Sequence, residues 1–146
     1  HLRRNARMKL TELSRCVGLP VSTLFDRVHN LNELGIKKLT ALLDFPAVGF
    51  GTCATILFKV HSGKRDELRN YLLKALPVNS LMRVNNGYDF MAECVFRGMR
   101  ELEEFCEKLE TSYGVRGKEV HFVIEELKRE GFLSDPSHIT EVVKNE

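Results

Sequence analysis

Residues 11–35 read TELSRCVGLPVSTLFDRVHNLNELG, and the fold turns on how this stretch divides. Thr11 to Val17 sets Leu13, Cys16 and Val17 on one side of a short helix. Gly18 follows, the residue type that most readily takes the left-handed backbone at a helix end. Pro20, favoured at a first helical position, opens a second helix. On it Leu24, Val28, Leu31 and Leu34 recur at helical intervals and share one buried face, and Gly35 closes it. Two short helices joined by a glycine-containing turn form a helix-turn-helix. The stretch Ile36 to Asp44 is long enough for the small hairpin, or wing, that often accompanies such a unit.

The outer face of the second helix carries Ser22, Thr23, Asp26, Arg27 and Asn30. A helix that reads a major groove must bury one face in its own small core and offer short polar groups near its N-terminal end. Val21, Ser22, Thr23, Asp26 and Arg27 have that placement. Arg27 can bond a phosphate or a guanine; Asp26 can accept from cytosine or orient Arg27. Arg3, Arg4, Arg7 and Lys9 precede the first helix, and Lys37 and Lys38 stand where a wing would begin, both within reach of a phosphate backbone. The alternative reading of the same pattern is an exposed amphipathic helix in an all-α cap.

Charge supports the first reading. The 146 residues carry 22 Lys+Arg against 20 Asp+Glu. Residues 1–45 hold eight of the bases and four of the acids, a net +4, which leaves −2 on the rest. A basic first third on a mildly acidic body suits a polyanionic partner, against the alternative of chance clustering of solvated charges. At 16.7 kDa the chain accommodates one ordinary domain or two small ones. Its 43% hydrophobic and 29% charged residues fit a soluble globular protein. No apolar run reaches membrane-spanning length and no secretory signal is evident, so a cytoplasmic protein is expected. The chain opens at His1 without a methionine, and a preceding segment is expected.

Asp44, Phe45, Pro46 and the Gly49–Gly51 pair mark a change of organisation near residue 45. Beyond it the order is strand, helix, strand, strand, helix, strand: Thr52 to Val60; Arg65 to Leu76, burying Leu68, Tyr71, Leu72, Ala75 and Leu76 and ended by Pro77; Leu81 to Asn85; Phe90 to Phe96; Arg100 to Ser112, burying Leu102, Phe105, Cys106 and Leu109; Val120 to Ile124. This is the ferredoxin-like βαββαβ order. The tail from Glu125 to Leu133 reads as helical, and Asp135 to Glu146 as a segment that docks on a neighbour. In the first strand Ala54, Ile56, Phe58 and Val60 face the helices. Cys53 and Leu57, with Met91 and Val95 of the third strand, make the second sheet face apolar as well. Both helices cover the same face, so the second needs another cover, most simply a second copy of the chain.

Four scattered cysteines (Cys16, Cys53, Cys94, Cys106) read as small core residues, and five scattered histidines offer no metal-ligand spacing. The acids Glu101, Glu103, Glu104, Glu107 and Glu110 form a solvated helix face. No phosphate-binding glycine loop, activated nucleophile or His–carboxylate pair stands out, so neither catalysis nor a cofactor is expected. The hairpin Asn85-Asn86-Gly87-Tyr88-Asp89 is a competent turn that also presents amides, a phenol and a carboxylate to a small zwitterion.

These residues resemble the Lrp/AsnC (feast/famine) family of prokaryotic transcription regulators along nearly the whole chain. The likeness is carried by Thr11-Glu12-Leu13-Ser14, Gly18-Leu19, Ser22-Thr23-Leu24, Arg27-Val28, Leu31 and Gly35-Ile36, then by Leu43-Asp44 with Gly49, Tyr88-Asp89 and Gly114-Val115. The resemblance implies a winged helix-turn-helix joined to a βαββαβ (RAM-type) domain. It implies dimerisation through the sheets, further assembly to tetramers or octamers, and an amino acid effector bound by the loop at 85–89. Three positions depart from the family pattern. Only His1-Leu2 remains of a leading helix, Asn86 stands where a hairpin glycine is usual, and Lys118 and Val120 occupy a common Thr-x-Thr pair whose hydroxyls serve the pocket.

The expectation is therefore an α+β protein. Residues 1–45 form the DNA-binding domain and 46–146 the dimerisation and effector domain. Double-stranded DNA is read by Val21, Ser22, Thr23, Asp26, Arg27 and Asn30, with Arg15, Arg27, Lys37 and Lys38 on phosphates. A sirohaem-decarboxylase-like enzyme shares the two-domain fold and would use Arg83 with histidines, yet no histidine lies between His61 and His121. A ligand sensor with a degenerate DNA-binding half is the third reading.

Overall fold

A computed structural model describes residues 1–30, 35–135 and 137. They fall into two compact units, one of residues 1–42 with the segment beginning at Leu127, the other Leu43–Glu126.

In the first unit α1 spans Leu10–Val17 and α2 spans Val21–His29. Gly18 ends α1 at φ 68°, its N–H donating to the Ser14 carbonyl, and the Ser14 hydroxyl donates to the Leu19 carbonyl at 2.6 Å. These bonds close the turn and satisfy carbonyls that a helix end leaves open. Pro20 serves as the N-terminal cap and Val21 is the first helical residue, one place later than expected. Leu13 and Leu24 are the buried side chains of this pair, 5% and 6% exposed, with Val28 half-buried. Cys16 and Val17 were expected inside and are exposed, because two short helices enclose little more than one leucine from each. Leu31 and Leu34 lie outside the described residues.

Residues 36–44 form no strand, so the expected wing hairpin is absent there. Leu39 and Leu42 are exposed, and a lone two-stranded hairpin is marginal in water without an apolar face to cover. The tail also differs from expectation, since residues 125–133 are not helical. Leu127 is exposed, and a nine-residue helix with no buried stripe cannot offset its nucleation cost. Arg3 engages this segment instead, pairing with Glu130 and donating from Nε to the Phe132 carbonyl at 3.1 Å. These contacts explain why the segment from Leu127 groups with the first unit rather than the second.

The second unit is a four-stranded antiparallel sheet with two helices. Its strands are β1 (Thr52–Val60), β2 (Val78–Arg83), β3 (Phe90–Phe96) and β4 (Val115–Phe122); its helices are α3 (Arg65–Leu72) and α4 (Met99–Tyr113). The spatial order β2-β3-β1-β4 is that of the ferredoxin-like fold. Alternation on the central strands is strict. Ala54, Ile56, Phe58 and Val60 of β1 and Phe90, Ala92, Cys94 and Phe96 of β3 are buried against Leu68 and Leu72 of α3 and Leu102, Phe105, Cys106 and Leu109 of α4. Burial pushes the Cys94 thiol up to about 12, with Cys106 and Glu93 adding to it, so it behaves as a core methylene rather than a nucleophile.

Boundaries move: β2 runs Val78–Arg83 rather than Leu81–Asn85, and β4 ends at Phe122 rather than Ile124. Helix α3 stops at Leu72, not Leu76; the Lys74 and Ala75 amides fold back onto the Tyr71 and Leu72 carbonyls. Pro77 holds its predecessor out of helical geometry, so Leu76 is 95% exposed while Ala75 still packs on the core. Strand β4 begins at Val115 rather than Val120. Gly114, at φ 67°, ends α4 and returns the chain to the sheet at once. The polar run Arg116-Gly117-Lys118-Glu119 concealed this, because an edge strand needs no apolar alternation.

Candidate functional site

The helix pair presents its polar residues as the sequence arranges them. With Leu24 turned inward, Ser22, Asp26 and Arg27 on α2 are exposed and Thr23 is half-buried. Val21 is 40% exposed. Asn30 caps the helix with its N–H on the Asp26 carbonyl. Arg15 on α1, and Lys37 and Lys38 beyond the helix pair, are exposed. An aromatic that the sequence reading passed over, Phe25, shares this surface; it is 50% exposed and its ring lies 4.6 Å from that of His29. The i, i+4 spacing of the two rings was the available signal.

The second site is the β2–β3 hairpin. Asn86 and Gly87 take φ 62° and 92°. Positive φ at both central residues is the type I′ turn that matches strand twist. Asparagine tolerates this backbone better than other side-chain-bearing residues, so Asn86 in place of the usual glycine keeps the turn.

Asn85, Asn86 and Gly87 are exposed, but Tyr88 and Asp89 are committed internally. The Asp89 amide donates to the Phe58 carbonyl at 2.8 Å. Its carboxylate accepts the Val60 N–H at 2.9 Å through Oδ2 and Arg65 Nε at 2.9 Å through Oδ1. Burial opposes its charge, yet the Val60 amide, the Arg65 guanidinium and the field of Arg116 together hold the carboxyl below the usual carboxylate range. Asp89 thus fastens the hairpin to β1 and the start of α3, with both its oxygens taken.

Tyr88 reaches in the other direction. Its hydroxyl donates to Glu119 Oε1 on β4, and Glu119 Oε2 lies 3.4 Å from His121 Nε2. The bond with Glu119 raises the phenol above its ordinary value; the same bond, and then His121, lower the Glu119 carboxyl. Sequence reading missed Glu119, His121 and Arg65 as partners of the hairpin. The order β2-β3-β1-β4, which sets β4 beside β1, was the signal that could have found them.

Lys118 and Val120 lie on the helix-covered face. Lys118 pairs with Glu110 of α4, and Val120 packs on the core. The opposite face bears Cys53, Leu57, Met91 and Val95, all half-buried. Cys53 pairs with Val95 and Leu57 with Met91 across the β1–β3 ladder. Between these apolar pairs Thr55 stands opposite Glu93, whose carboxylate accepts from the Ser80 hydroxyl at 2.7 Å.

Among the described residues no group of His, Cys, Asp or Glu is placed to hold a metal ion. None of their helices is long and apolar enough to cross a membrane.

A helix-turn-helix pair followed by a ferredoxin-like unit is the architecture of a DNA-binding transcriptional regulator. The Lrp/AsnC ligand-binding domain model matches residues 53–133, and the chain belongs to the Lrp/AsnC family. It is 32% identical over 124 residues to the HTH-type transcriptional regulator FL11 of Pyrococcus horikoshii, covering 84% of this chain and 82% of that one. The FL11 regulator of Pyrococcus furiosus is 31% identical over the same shares. Among solved structures, a transcriptional regulator of Neisseria meningitidis in complex with L-Met superposes with a TM-score of 0.82. It is 26% identical, and the match covers 94% of this chain and 92% of that one. The AsnC of Escherichia coli, 18% identical with 88% of each chain covered, shares the fold at a TM-score of 0.75. The relatives are named as transcriptional regulators, not as enzymes.

Proposed function

We propose that this regulator reads double-stranded DNA in a sequence-specific manner through α2, as a homodimer closed by its sheets, under the control of a small effector. One observation carries the reading. Leu24 is turned into the helix pair, which leaves Ser22, Asp26 and Arg27 facing outward behind the tight turn at Gly18. Ser22, Thr23, Asp26 and Arg27 then address base edges, with Val21 against a thymine methyl and Asn30 at the far end. Arg15, Lys37 and Lys38 hold phosphates and fix register. The apolar face of Cys53, Leu57, Met91 and Val95 supports a two-fold dimer, so the operator is a pseudo-palindrome. Two such dimers give a tetramer and four give an octamer.

The effector is an amino acid, by analogy with the L-Met complex of the Neisseria meningitidis regulator. It sits at the hairpin of Asn85, Asn86 and Gly87. Tyr88 and Asp89 shape that hairpin, and their hydrogen bonds run to Glu119, Val60 and Arg65. The test is a mobility shift of the full chain with genomic duplex across salt. Retention at low salt that falls steeply as salt rises is expected. No retention of any duplex at low salt would falsify the reading.

A further inference from the structure

The outward side of α2 is not uniformly polar. Val21 and Phe25, one turn apart on the same flank, are 40% and 50% exposed. At about 100° per residue, Phe25 stands about 60° from Ser22 and about 100° from both Leu24 and Asp26. It therefore lies between the buried face and the centre of the polar arc, beside Ser22. Arg27 is about 160° away, on the other flank. Around its axis the helix thus carries an apolar flank, a polar centre and a cationic flank.

The ring of Phe25 meets that of His29, one turn further on, with centroids 4.6 Å apart and 34° between the planes. Such an i, i+4 pair restricts the Phe25 side chain while half of it stays in contact with water. Size and charge indicate what covers this flank. Two side chains exposed by about half offer on the order of 150 Å² of apolar surface, well short of the several hundred that mark a protein-docking patch. The flank is continuous with Ser22 and Asp26, and residues 1–45 carry a net +4, which suits a polyanion. The major groove presents single apolar points, the C5-methyl groups of thymine, among polar base edges. Val21 and Phe25 are about 6 Å apart along the helix axis, close to two base-pair steps of about 3.4 Å.

We propose that Phe25 is a specificity-determining residue of α2, packing its ring on the C5-methyl of a thymine in the operator. The proposal rests on the DNA-binding reading above and adds a second methyl contact to that of Val21. Phe25 then reads a thymine next to the base addressed by Ser22, while Arg27 bonds at the opposite flank.

The test starts from a duplex that the wild-type full chain selects out of a random-sequence library. The duplex is resynthesised with each thymine in turn replaced by deoxyuridine, which removes the methyl group and leaves every hydrogen-bonding group in place. Fluorescence anisotropy gives the affinity for each form. Wild type loses about fourfold at a thymine that Val21 does not read, the worth of one buried methyl group. Phe25→Ala and Phe25→Gln, both compatible with helix, bind the thymine and uracil forms of that position equally. Val21→Ala keeps the loss there and abolishes it at a different thymine. Melting midpoints and sedimentation are as in wild type.

If no deoxyuridine weakens wild-type binding, the proposal is overturned. An undiminished loss in Phe25→Ala and Phe25→Gln also overturns it, by assigning the methyl contact to another side chain. So does weakening of all duplexes alike with a lowered melting midpoint, which makes the ring a structural part of the helix pair. A changed sedimenting mass in both Phe25 variants, with the methyl effect intact, overturns it in favour of a contact between copies of the chain. Failure of every library duplex to bind wild type is the separate result that removes the DNA-binding reading itself.

Discussion

Replacing Asp89 tests how the hairpin is held. Asp89→Ala leaves the Val60 N–H, on a residue 2% exposed, without its acceptor. An orphaned buried donor costs about 1–3 kcal/mol. The lost pair with Arg65 adds at most about 1 kcal/mol, because that side chain is 41% exposed and solvent screens it. A total of about 1–4 kcal/mol lowers the urea midpoint by about 0.5–2 M at a slope near 2 kcal/mol per M. Asp89→Asn keeps the shape and removes the charge. The folded-state carboxyl lies below its unfolded value, so its contribution is complete above the unfolded pKa and is lost as pH falls through the folded one. The gap between wild type and Asp89→Asn is therefore widest at neutral pH and closes below about pH 4. Urea melts across acid pH measure it. A gap that stays constant down to pH 2.5, or a Asp89→Ala chain as stable as wild type, refutes the assignment of Asp89 as the hairpin's fastener.

Leu57→Glu sets a carboxylate in the middle of the apolar sheet face; the proposed dimer then dissociates in sedimentation runs while far-ultraviolet dichroism is retained. Lys38→Gln weakens binding to all duplexes alike and lowers the salt slope by about 1, whereas Ser22→Ala changes the ranking of operator variants, as competition assays on a duplex library record. Phe58→Ala empties a wholly buried site at the centre of the sheet and costs about 3–5 kcal/mol in denaturant melts. Gly18→Ala forces a side chain into φ 68° and costs about 1 kcal/mol, although nothing lies within 4 Å of the new Cβ, so its whole effect is backbone strain.

The central strands were legible because burial writes a period of two: β1 and β3 have the ends read from the sequence, and Asn86-Gly87 signals its turn by itself. Helix α4 extends one residue further at each end. What escaped was decided by partners remote in sequence. The start of β4 carries no apolar signal, since an edge strand is half solvated. Leu76 fits the helical stripe of α3, yet Pro77 ends that helix a turn earlier. The stretches 36–44 and 125–133 leave Leu39, Leu42, Leu43, Leu127 and Phe132 exposed, so no buried stripe holds them in regular structure. At the hairpin the turn was legible, but Asp89 and Tyr88 were read as ligand donors. Their engagement by Val60, Arg65 and Glu119 depends on strand order, which no local pattern encodes. The exposed polar face of α2 was the easiest to read, because burying Leu24 dictates where Ser22 and Arg27 must point.

The thin core of the helix pair has a thermodynamic consequence. Among the described residues Leu13 and Leu24, at about 1.5–3 kcal/mol each, are a small reserve for holding two helices and a turn in place. This unit opens locally well before the βαββαβ unit melts. An operator that engages only the closed form tightens it by mass action, so part of the binding free energy is spent on consolidating the reader. Calorimetry of the complex will then give a heat-capacity decrement larger than the contact area accounts for, and amide exchange in α1 and α2 will slow once the operator is bound.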